Sequence, residues 1–136
     1  MADAQVAIRW VGEGLRFTAD HPSANSFDSD GDGKQSHSPV QQLLLSLASC
    51  TAADVVDILT KMRVPLSGLQ VDIEGDRMPE PPRFYTAIRM RFTTSGVGEA
   101  DRDKVERAIS LSEEKYCSVR HSLRSDIRFS TELVLA

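Results

Sequence analysis

The chain has 136 residues, a length that suits one domain with a single core, and we predict a single domain over residues 1–136. It carries 16 Lys and Arg against 20 Asp and Glu, which gives a formal net charge of -4. Nucleic-acid binding needs a basic face, so this charge argues against that class of protein. With 40% hydrophobic residues, the composition favours a soluble enzyme or a small-molecule-binding protein.

The first elements predicted along the chain are two short strands between Gln5 and Ala19, joined by a turn at Gly12-Glu13-Gly14. A polar connection follows from Asp20 to His37, with one short strand near Phe27. The sequence of this connection resembles the opening of an EF-hand calcium loop from Asp28 onward. Position twelve of that loop is Pro39, however, where a calcium site needs a bidentate Glu. We therefore predict an acidic turn here and no calcium site.

A long helix is predicted from Ser38 to Arg63, about seven turns by the α-helical repeat. Ser38 suits the N-cap, Pro39 suits the first helical position, and a Val-Pro pair ends the element. The middle of the helix is apolar almost all round, which is typical of a buried helix. A membrane span is the rival interpretation, but the uncharged run stops at Asp54 and is too short. We predict a central helix covered by its own sheet on one side and by a second subunit on the other.

The second half of the chain alternates between strand and helix patterns. Leu69 to Glu74 and Ile88 to Phe92 have period two, with acidic residues on the wet face of the first strand and basic residues on that of the second. Antiparallel pairing would place these charges side by side. A helix from Glu99 to about Lys115, a short helical turn and a closing strand from Ile127 to Leu135 complete an α+β fold with a largely antiparallel sheet.

The candidate chemistry rests on two cysteines, Cys50 and Cys117. No CxxC pair is present, which excludes most zinc frameworks. The N-terminal segment MADAQVAIRW has no basic region followed by an apolar region, as a secretory signal would, so we predict a cytoplasmic protein whose cysteines are redox-active or simply buried thiols. Hydrolase, phosphate-loop and dinucleotide motifs are absent. The histidines stand in polar segments typical of the surface: His21, His37 and His121.

Cys50 lies among small residues in the middle of the long helix, which would let a substrate or another element approach its sulfur. Asp54 follows on the same helical face and would suppress the thiolate unless a cation lies nearby. Four arginines are candidates for that cation, and the sequence does not rank them by distance: Arg9, Arg16, Arg120 and Arg124. If both helices pack on one sheet, the sulfurs of Cys50 and Cys117 can meet.

Two motifs resemble those of the OsmC/Ohr family, the osmotically inducible and organic hydroperoxide resistance proteins. SPVQQLLLSLASCTAADVVDILTKMR, residues 38–63, is similar to the family's central helix, and SEEKYCSV, residues 112–119, is similar to its second cysteine motif. The resemblance implies the OsmC-like fold in an intertwined homodimer with the long helices at its centre. It also implies a thiol peroxidase site in which Cys50 is the peroxidatic and Cys117 the resolving cysteine.

The resemblance further implies an organic hydroperoxide or another small molecule as substrate and a dithiol as reductant. It requires no metal, flavin or nicotinamide. The net charge and the short uncharged run predict, in addition, no nucleic-acid and no membrane partner. Family peroxidases orient the peroxidatic sulfur with an arginine, for which Arg16 is our first choice and Arg9 the second. They also use a Glu at the start of the helix, where this chain has Gln41, which can bond an arginine but cannot neutralise it. The alternative function is therefore a non-catalytic small-molecule-binding or thiol-carrier dimer.

Overall fold

The computed structural model describes residues 2–136, which form two compact units, residues 2–43 and Leu44–Ala136. The first unit holds a three-stranded antiparallel sheet of β1 (Ala7–Trp10), β2 (Arg16–Asp20) and β3 (Phe27–Asp30). The hairpin around Gly12-Glu13-Gly14 and the short strand at Phe27 are confirmed. Gly12 and Gly14 have φ values of 92° and 54°, a region open to glycine without a Cβ penalty.

The acidic loop after β3 is organised by one carboxylate. Asp30 is 3% exposed, and its side chain accepts hydrogen bonds from the backbone N–H groups of Asp32, Lys34 and Gln35 at 3.0, 3.2 and 3.0 Å. These bonds satisfy backbone donors that the turn leaves unpaired. The acidic turn predicted from the sequence is thus held by Asp30.

The long helix is α1, Pro39–Lys61, and it begins in the first unit and continues into the second. Its N-terminus carries a reciprocal cap. The Gln41 backbone N–H donates to Ser38 Oγ at 3.3 Å, and the Ser38 N–H donates to Gln41 Oε1 at 2.8 Å. This pair satisfies one otherwise unpaired helix donor and fixes the start of the helix, as a capping box does. The predicted Ser38 N-cap is confirmed.

One face of α1 is buried and the opposite face is exposed. The buried stripe recurs at helical spacing: Leu47, Ala48, Thr51, Val55 and Leu59. Large apolar side chains outside this stripe remain 39 to 44% exposed: Leu43 on one flank of the helix, and Leu45 and Val56 on the other. By length and composition α1 could cross a membrane, but the core helix of a soluble protein meets the same criterion. The covering of the second face by another subunit stays a prediction.

The second unit contains a sheet of β4 (Gly68–Arg77), β5 (Tyr85–Ser95) and β6 (Arg128–Leu135). β4 and β5 are antiparallel and place Asp72 opposite Arg91 and Glu74 opposite Arg89, which confirms the predicted charge pairing. β6 is parallel to β5, the one parallel pairing among residues 2–136, because a helical crossover joins the two strands. The fold is α+β with largely antiparallel pairing, as the sequence predicts.

The crossover begins with a short 3-10 turn, Glu99–Asp101, and continues through α2 (Arg102–Leu111) and a π-helical turn at Ser112–Tyr116. A short helix, α3 (Ser118–Ser122), follows and leads to β6. The second predicted helix therefore divides at Leu111, and its last turn is wider than an α-helical turn. The core of this unit is formed by fully buried side chains from α1, β5 and α2, including Leu59, Phe92 and Val105.

Candidate functional site

Cys50 lies at the boundary between the two faces of α1 and is half-buried. Thr51 next to it belongs to the buried stripe, whereas Ser49 and Ala53 are exposed and line a shallow groove along the helix. The small side chains of this groove leave the exposed flank of the helix unobstructed. Cys50 is not among the residues that line this groove, but it is the more accessible of the two cysteines, since it is half-buried and Cys117 is fully buried.

Cys117 lies at the junction of the π-helical turn and α3 and is fully buried. Its backbone N–H donates to the Ser112 carbonyl at 2.8 Å, which closes the wide turn. Its side chain accepts a hydrogen bond from the Arg120 backbone N–H at 3.4 Å and thereby caps α3. The turn and the short helix together fix the position of this sulfur.

The two cysteines are neighbours, and both are free thiols. The thiol of Cys50 lies near enough to raise the pKa of the Cys117 thiol, across a separation in sequence that spans β4, β5 and α2. The hydroxyl of Thr51 donates a hydrogen bond to Cys117 Sγ at 3.5 Å. The structure thus brings together the two cysteines that the sequence singles out.

The pKa of the Cys117 thiol is raised, chiefly because burial penalises the thiolate. Hydrogen bonds from the Thr51 hydroxyl and the Arg120 backbone N–H oppose this effect, because both donors stabilise the charged sulfur. The Cys50 thiol raises the pKa further. Cys117 is therefore held as a protonated thiol at neutral pH, beside two groups that would stabilise its thiolate.

Asp54, one turn after Cys50, has a defined partner. The hydroxyl of Ser112 donates to Asp54 Oδ2 at 2.8 Å, and Ser112 is fully buried. This bond joins α1 to the π-helical turn that carries Cys117. The carboxylate that the sequence places beside the Cys50 thiol is thus also a link between the two cysteine-bearing segments.

Two of the four candidate arginines lie in the second unit, and their guanidinium groups have other partners. The guanidinium of Arg120 lies 3.7 Å from the centre of the Phe129 ring and 3.9 Å from Glu113 Oε1. That of Arg124 lies 3.7 Å from the centre of the Phe84 ring and bonds Asp126 at 2.8 Å. Arg120 acts on Cys117 through its backbone N–H.

The other two candidates lie in the sheet of the first unit. Arg16, in β2, has its guanidinium 3.6 Å from Glu13 Oε2. Arg9, in β1, lies 3.3 Å from Asp20 Oδ2. The choice of Arg16 over Arg9 stays a prediction.

Gln41 has a structural partner that the sequence analysis did not foresee, because its side-chain oxygen is bonded to the Ser38 backbone N–H. The signal was present in the sequence as Ser38 followed three residues later by Gln41, the spacing of a capping box. The first turn of α1 contains no acidic residue. Orientation of an arginine by Gln41 therefore stays a prediction.

Two further site residues escaped the sequence analysis, namely Thr51 and Ser112. Thr51 was one small residue among several around Cys50, and only the packing of α1 brings its hydroxyl to Cys117. No local signal distinguishes Ser112 from its neighbours. Within residues 2–136, no group of three or more His, Cys, Asp or Glu side chains is arranged to hold a metal ion.

Comparison with known proteins places this geometry in a family. The sequence profile of the OsmC-like protein family matches residues 31–132, which include both cysteines. The chain is 37% identical over 135 residues to Protein YhfA of Escherichia coli strain K12, covering 97% of this chain and 99% of that protein.

Solved structures agree on the fold. A hypothetical protein from Aquifex aeolicus has a TM-score of 0.82 and 26% identity, with 100% of this chain and 99% of that chain covered. The organic hydroperoxide resistance protein OhrB of Bacillus subtilis has a TM-score of 0.65 and 14% identity, with 99% and 100% covered. At that identity OhrB supports the fold alone. From the family profile and the YhfA relative together, the chain belongs to the OsmC-like protein family.

Proposed function

We propose that this protein is a cysteine-based organic hydroperoxide reductase. The observation that carries the proposal is the pairing of a half-buried Cys50 with a fully buried Cys117, whose pKa the neighbouring Cys50 thiol raises. A peroxide that arrives from solvent meets Cys50 first. This difference in exposure supports the roles implied by family resemblance, in which Cys50 is the peroxidatic and Cys117 the resolving cysteine.

In the first step the Cys50 thiolate attacks the distal oxygen of the hydroperoxide ROOH. The O–O bond breaks, the alkoxide leaves and takes up a proton to become the alcohol ROH, and Cys50 becomes a sulfenic acid. The sulfur loses two electrons and the peroxide gains them. We assign to Arg16 the role of stabilising the thiolate, with Arg9 as second choice, and to Gln41 the orientation of that arginine.

In the second step Cys117, as its thiolate, attacks the sulfur of the Cys50 sulfenic acid. A disulfide forms between the two cysteines, and hydroxide leaves and is protonated to water. The neighbouring position of the two sulfurs makes this an intramolecular reaction that needs no large movement. A dithiol reductant then reduces the disulfide and is itself oxidised, which restores both thiols.

The proposed cycle needs a substrate and a reductant, and the protein is proposed to act as a dimer. We propose a homodimer, an organic hydroperoxide as substrate and a dithiol as reductant, in the reducing environment of the cytoplasm, where the thiols are regenerated. The exposed apolar face of α1 supports the dimer.

The test uses purified, fully reduced protein with cumene hydroperoxide. The wild-type chain is expected to consume one equivalent of peroxide per chain and to lose both titratable thiols. Cys117→Ser is expected to consume one equivalent and to leave a sulfenic acid that dimedone traps on Cys50. Cys50→Ser, which keeps the buried thiol, is expected to consume none.

Two outcomes would contradict the proposal. One is an unchanged thiol titration of the wild-type chain after excess hydroperoxide. The other is dimedone labelling at Cys117 in the Cys50→Ser variant at the rate seen for Cys50, because that would make the buried sulfur the peroxidatic one.

A second candidate is a non-catalytic dimer that binds a small molecule or carries a thiol. It is favoured by one observation: the start of α1 lacks a carboxylate, and the Gln41 oxygen is bonded to Ser38. In that case Cys50→Ser should retain the affinity of the wild-type chain for its small molecule. Loss of binding in this variant, together with peroxide consumption by the wild-type chain, would reject it.

A further inference from the structure

We propose that the Thr51 hydroxyl is the hydrogen-bond donor that stabilises the thiolate of Cys117, so that one helix carries both the peroxidatic sulfur and the group that activates its resolving partner. The proposal deepens the reductase function and rests on it for its purpose. It assigns a role to a residue that neither family resemblance nor the sequence pattern singles out.

The geometry around Thr51 carries the proposal. Thr51 is fully buried in the stripe of α1 that faces the core, where an unpaired hydroxyl would be costly. This hydroxyl donates its hydrogen bond to Cys117 Sγ, at 3.5 Å. Cys117 is itself fully buried, so solvent does not compete for the bond. A buried donor directed at a buried sulfur stabilises the anionic form more than the neutral one.

The charged groups around Cys117 have other partners, so its thiolate is stabilised by uncharged hydrogen-bond donors. On α1, Cys50 and Asp54 lie near the Thr51–Cys117 hydrogen bond, and Asp54 is bonded to Ser112. Glu113 of the π-helical turn accepts a hydrogen bond from Thr131. Arg120 of α3 supplies its backbone N–H, while its guanidinium lies over the Phe129 ring. Removal of the Thr51 hydroxyl therefore leaves Cys117 with one donor of the present two.

The same bond serves both covalent steps. When Cys117 attacks the Cys50 sulfenic acid, its thiolate is the nucleophile. When the dithiol reductant attacks the more exposed Cys50 sulfur of the disulfide, the S–S bond breaks and Cys117 leaves as a thiolate. Stabilisation of that thiolate favours its formation in the first case and its departure in the second.

The size of the effect follows from two opposing trends. Loss of one hydrogen bond to a charged sulfur should raise the pKa of Cys117 by about one unit, which lowers the thiolate fraction at neutral pH about tenfold. The remaining thiolate is more nucleophilic, by roughly threefold for the usual Brønsted dependence. Disulfide formation at neutral pH should therefore slow by about three- to fourfold.

The test is a titration that does not depend on peroxidase activity. In a Cys50→Ala background, the ultraviolet absorbance of the Cys117 thiolate is followed from neutral to alkaline pH, and the signal of a Cys50→Ala, Cys117→Ala chain is subtracted. Thr51→Val is expected to raise the apparent pKa by about one unit, and Thr51→Ser, which keeps the hydroxyl, to leave it near the parent value.

Thr94→Val is the matched control, because Thr94 is also a fully buried threonine of the second unit and lies on β5. It is expected to leave the titration unchanged. An unshifted titration in Thr51→Val would overturn the proposal, and so would a Thr51→Ser variant that titrates like Thr51→Val.

A kinetic measurement complements the titration in chains that keep both cysteines. In Thr51→Val, decay of the Cys50 sulfenic acid to the disulfide should slow at neutral pH and recover at alkaline pH, where Cys117 is ionised. A slowing that is equal at every pH would indicate a structural defect and would count against the proposal. The two proposals can fail separately. If neither the wild-type chain nor any variant reduces hydroperoxide, the proposed function is wrong. If the Cys117 titration still shifts in Thr51→Val, the stabilisation of its thiolate by Thr51 is nevertheless supported.

Discussion

The hydroxyl of Ser112 donates a hydrogen bond of 2.8 Å to the Asp54 carboxylate, and this bond joins the π-helical turn to the long helix α1. The carbonyl of the same serine accepts the Cys117 backbone N–H, also at 2.8 Å. Asp54 lies one helical turn after Cys50. One buried serine therefore contacts both cysteine-bearing segments, through its side chain on one side and its backbone on the other.

Replacement of Ser112 by Ala should lower the free energy of unfolding by about 1 to 3 kcal/mol, because it leaves the half-buried Asp54 carboxylate without this donor. Urea unfolding of the reduced protein measures the change. Ser110→Ala is the control, since Ser110 lies on α2 and is only half-buried. Equal stability of the two variants would show that the Ser112 bond contributes nothing measurable.

The isosteric change Thr94→Val should stabilise the protein by about 1 kcal/mol. Thr94 is fully buried on β5, and within residues 2–136 its Oγ1 has no hydrogen-bond partner. Valine has the same shape and removes an unpaired polar atom from the core. Thr51→Val should have the opposite sign, because the Thr51 hydroxyl is bonded to Cys117. Thermal unfolding of both variants tests the pair, and a destabilised Thr94→Val would refute the assignment of an unpaired hydroxyl.

The acidic loop should loosen as the pH falls below about 4. The pKa of Asp30 is lowered, first by hydrogen bonds from the Gln35 and Asp32 backbones and also by the nearby charge of Arg16. A depressed carboxyl pKa contributes stability that is present above the unfolded-state value and is lost as the pH falls through the folded-state value.

The protection factors of the Asp32, Lys34 and Gln35 amides, which correct for the intrinsic pH dependence of exchange, should therefore fall at acid pH. Asp30→Asn should show faster exchange already at neutral pH, because it lacks the charge and one acceptor oxygen. Asp28→Asn, a change at an exposed carboxylate of the same strand, is the control. Protection factors that do not change between neutral and acid pH would mean that the loop is held by other contacts.

Much of the fold was predictable because its signals are local. The Ser-Pro start and Val-Pro end of α1 define a helix observed from Pro39 to Lys61, and period two defines β4 and β5. Even the placement of opposite charges side by side followed from the alternation, although the register that pairs Asp72 with Arg91 was not predicted. The parallel direction of β6 did not, since alternation fixes which residues share a face and leaves the neighbouring strand undetermined.

The site was predictable in part for the same reason. Cys50 and Cys117 were evident from resemblance, and their proximity followed once α1 and α2 packed in one unit. The role of Thr51 and Ser112 depends on contacts 66 and 58 residues apart in sequence, which no spacing encodes. Gln41 is the opposite case, because its bond to Ser38 is local and the capping-box spacing encodes it.

The exposed face of α1 leads to a prediction about assembly. Leu45 and Val56 lie on one face of α1 and are 44% and 42% exposed, and small residues such as Ala52 and Ala53 line the groove beside Val56. Small side chains permit close approach of another helix, and large apolar side chains left exposed on one helix face are typical of an interface. Light scattering after gel filtration should give the mass of a homodimer for the wild-type chain.

Val56→Glu should shift that equilibrium toward the monomer, because association would bury an unpaired carboxylate. Ala100→Glu adds the same group at an exposed position outside α1 and should remain dimeric. If both variants and the wild-type chain elute as monomers, the second face of α1 is not a subunit interface. If Val56→Glu alone is monomeric, its peroxide consumption shows whether dimerisation is needed for the reactivity of Cys50. The two residues lie on the same helix, six positions apart, so an interface at Val56 would be close to Cys50.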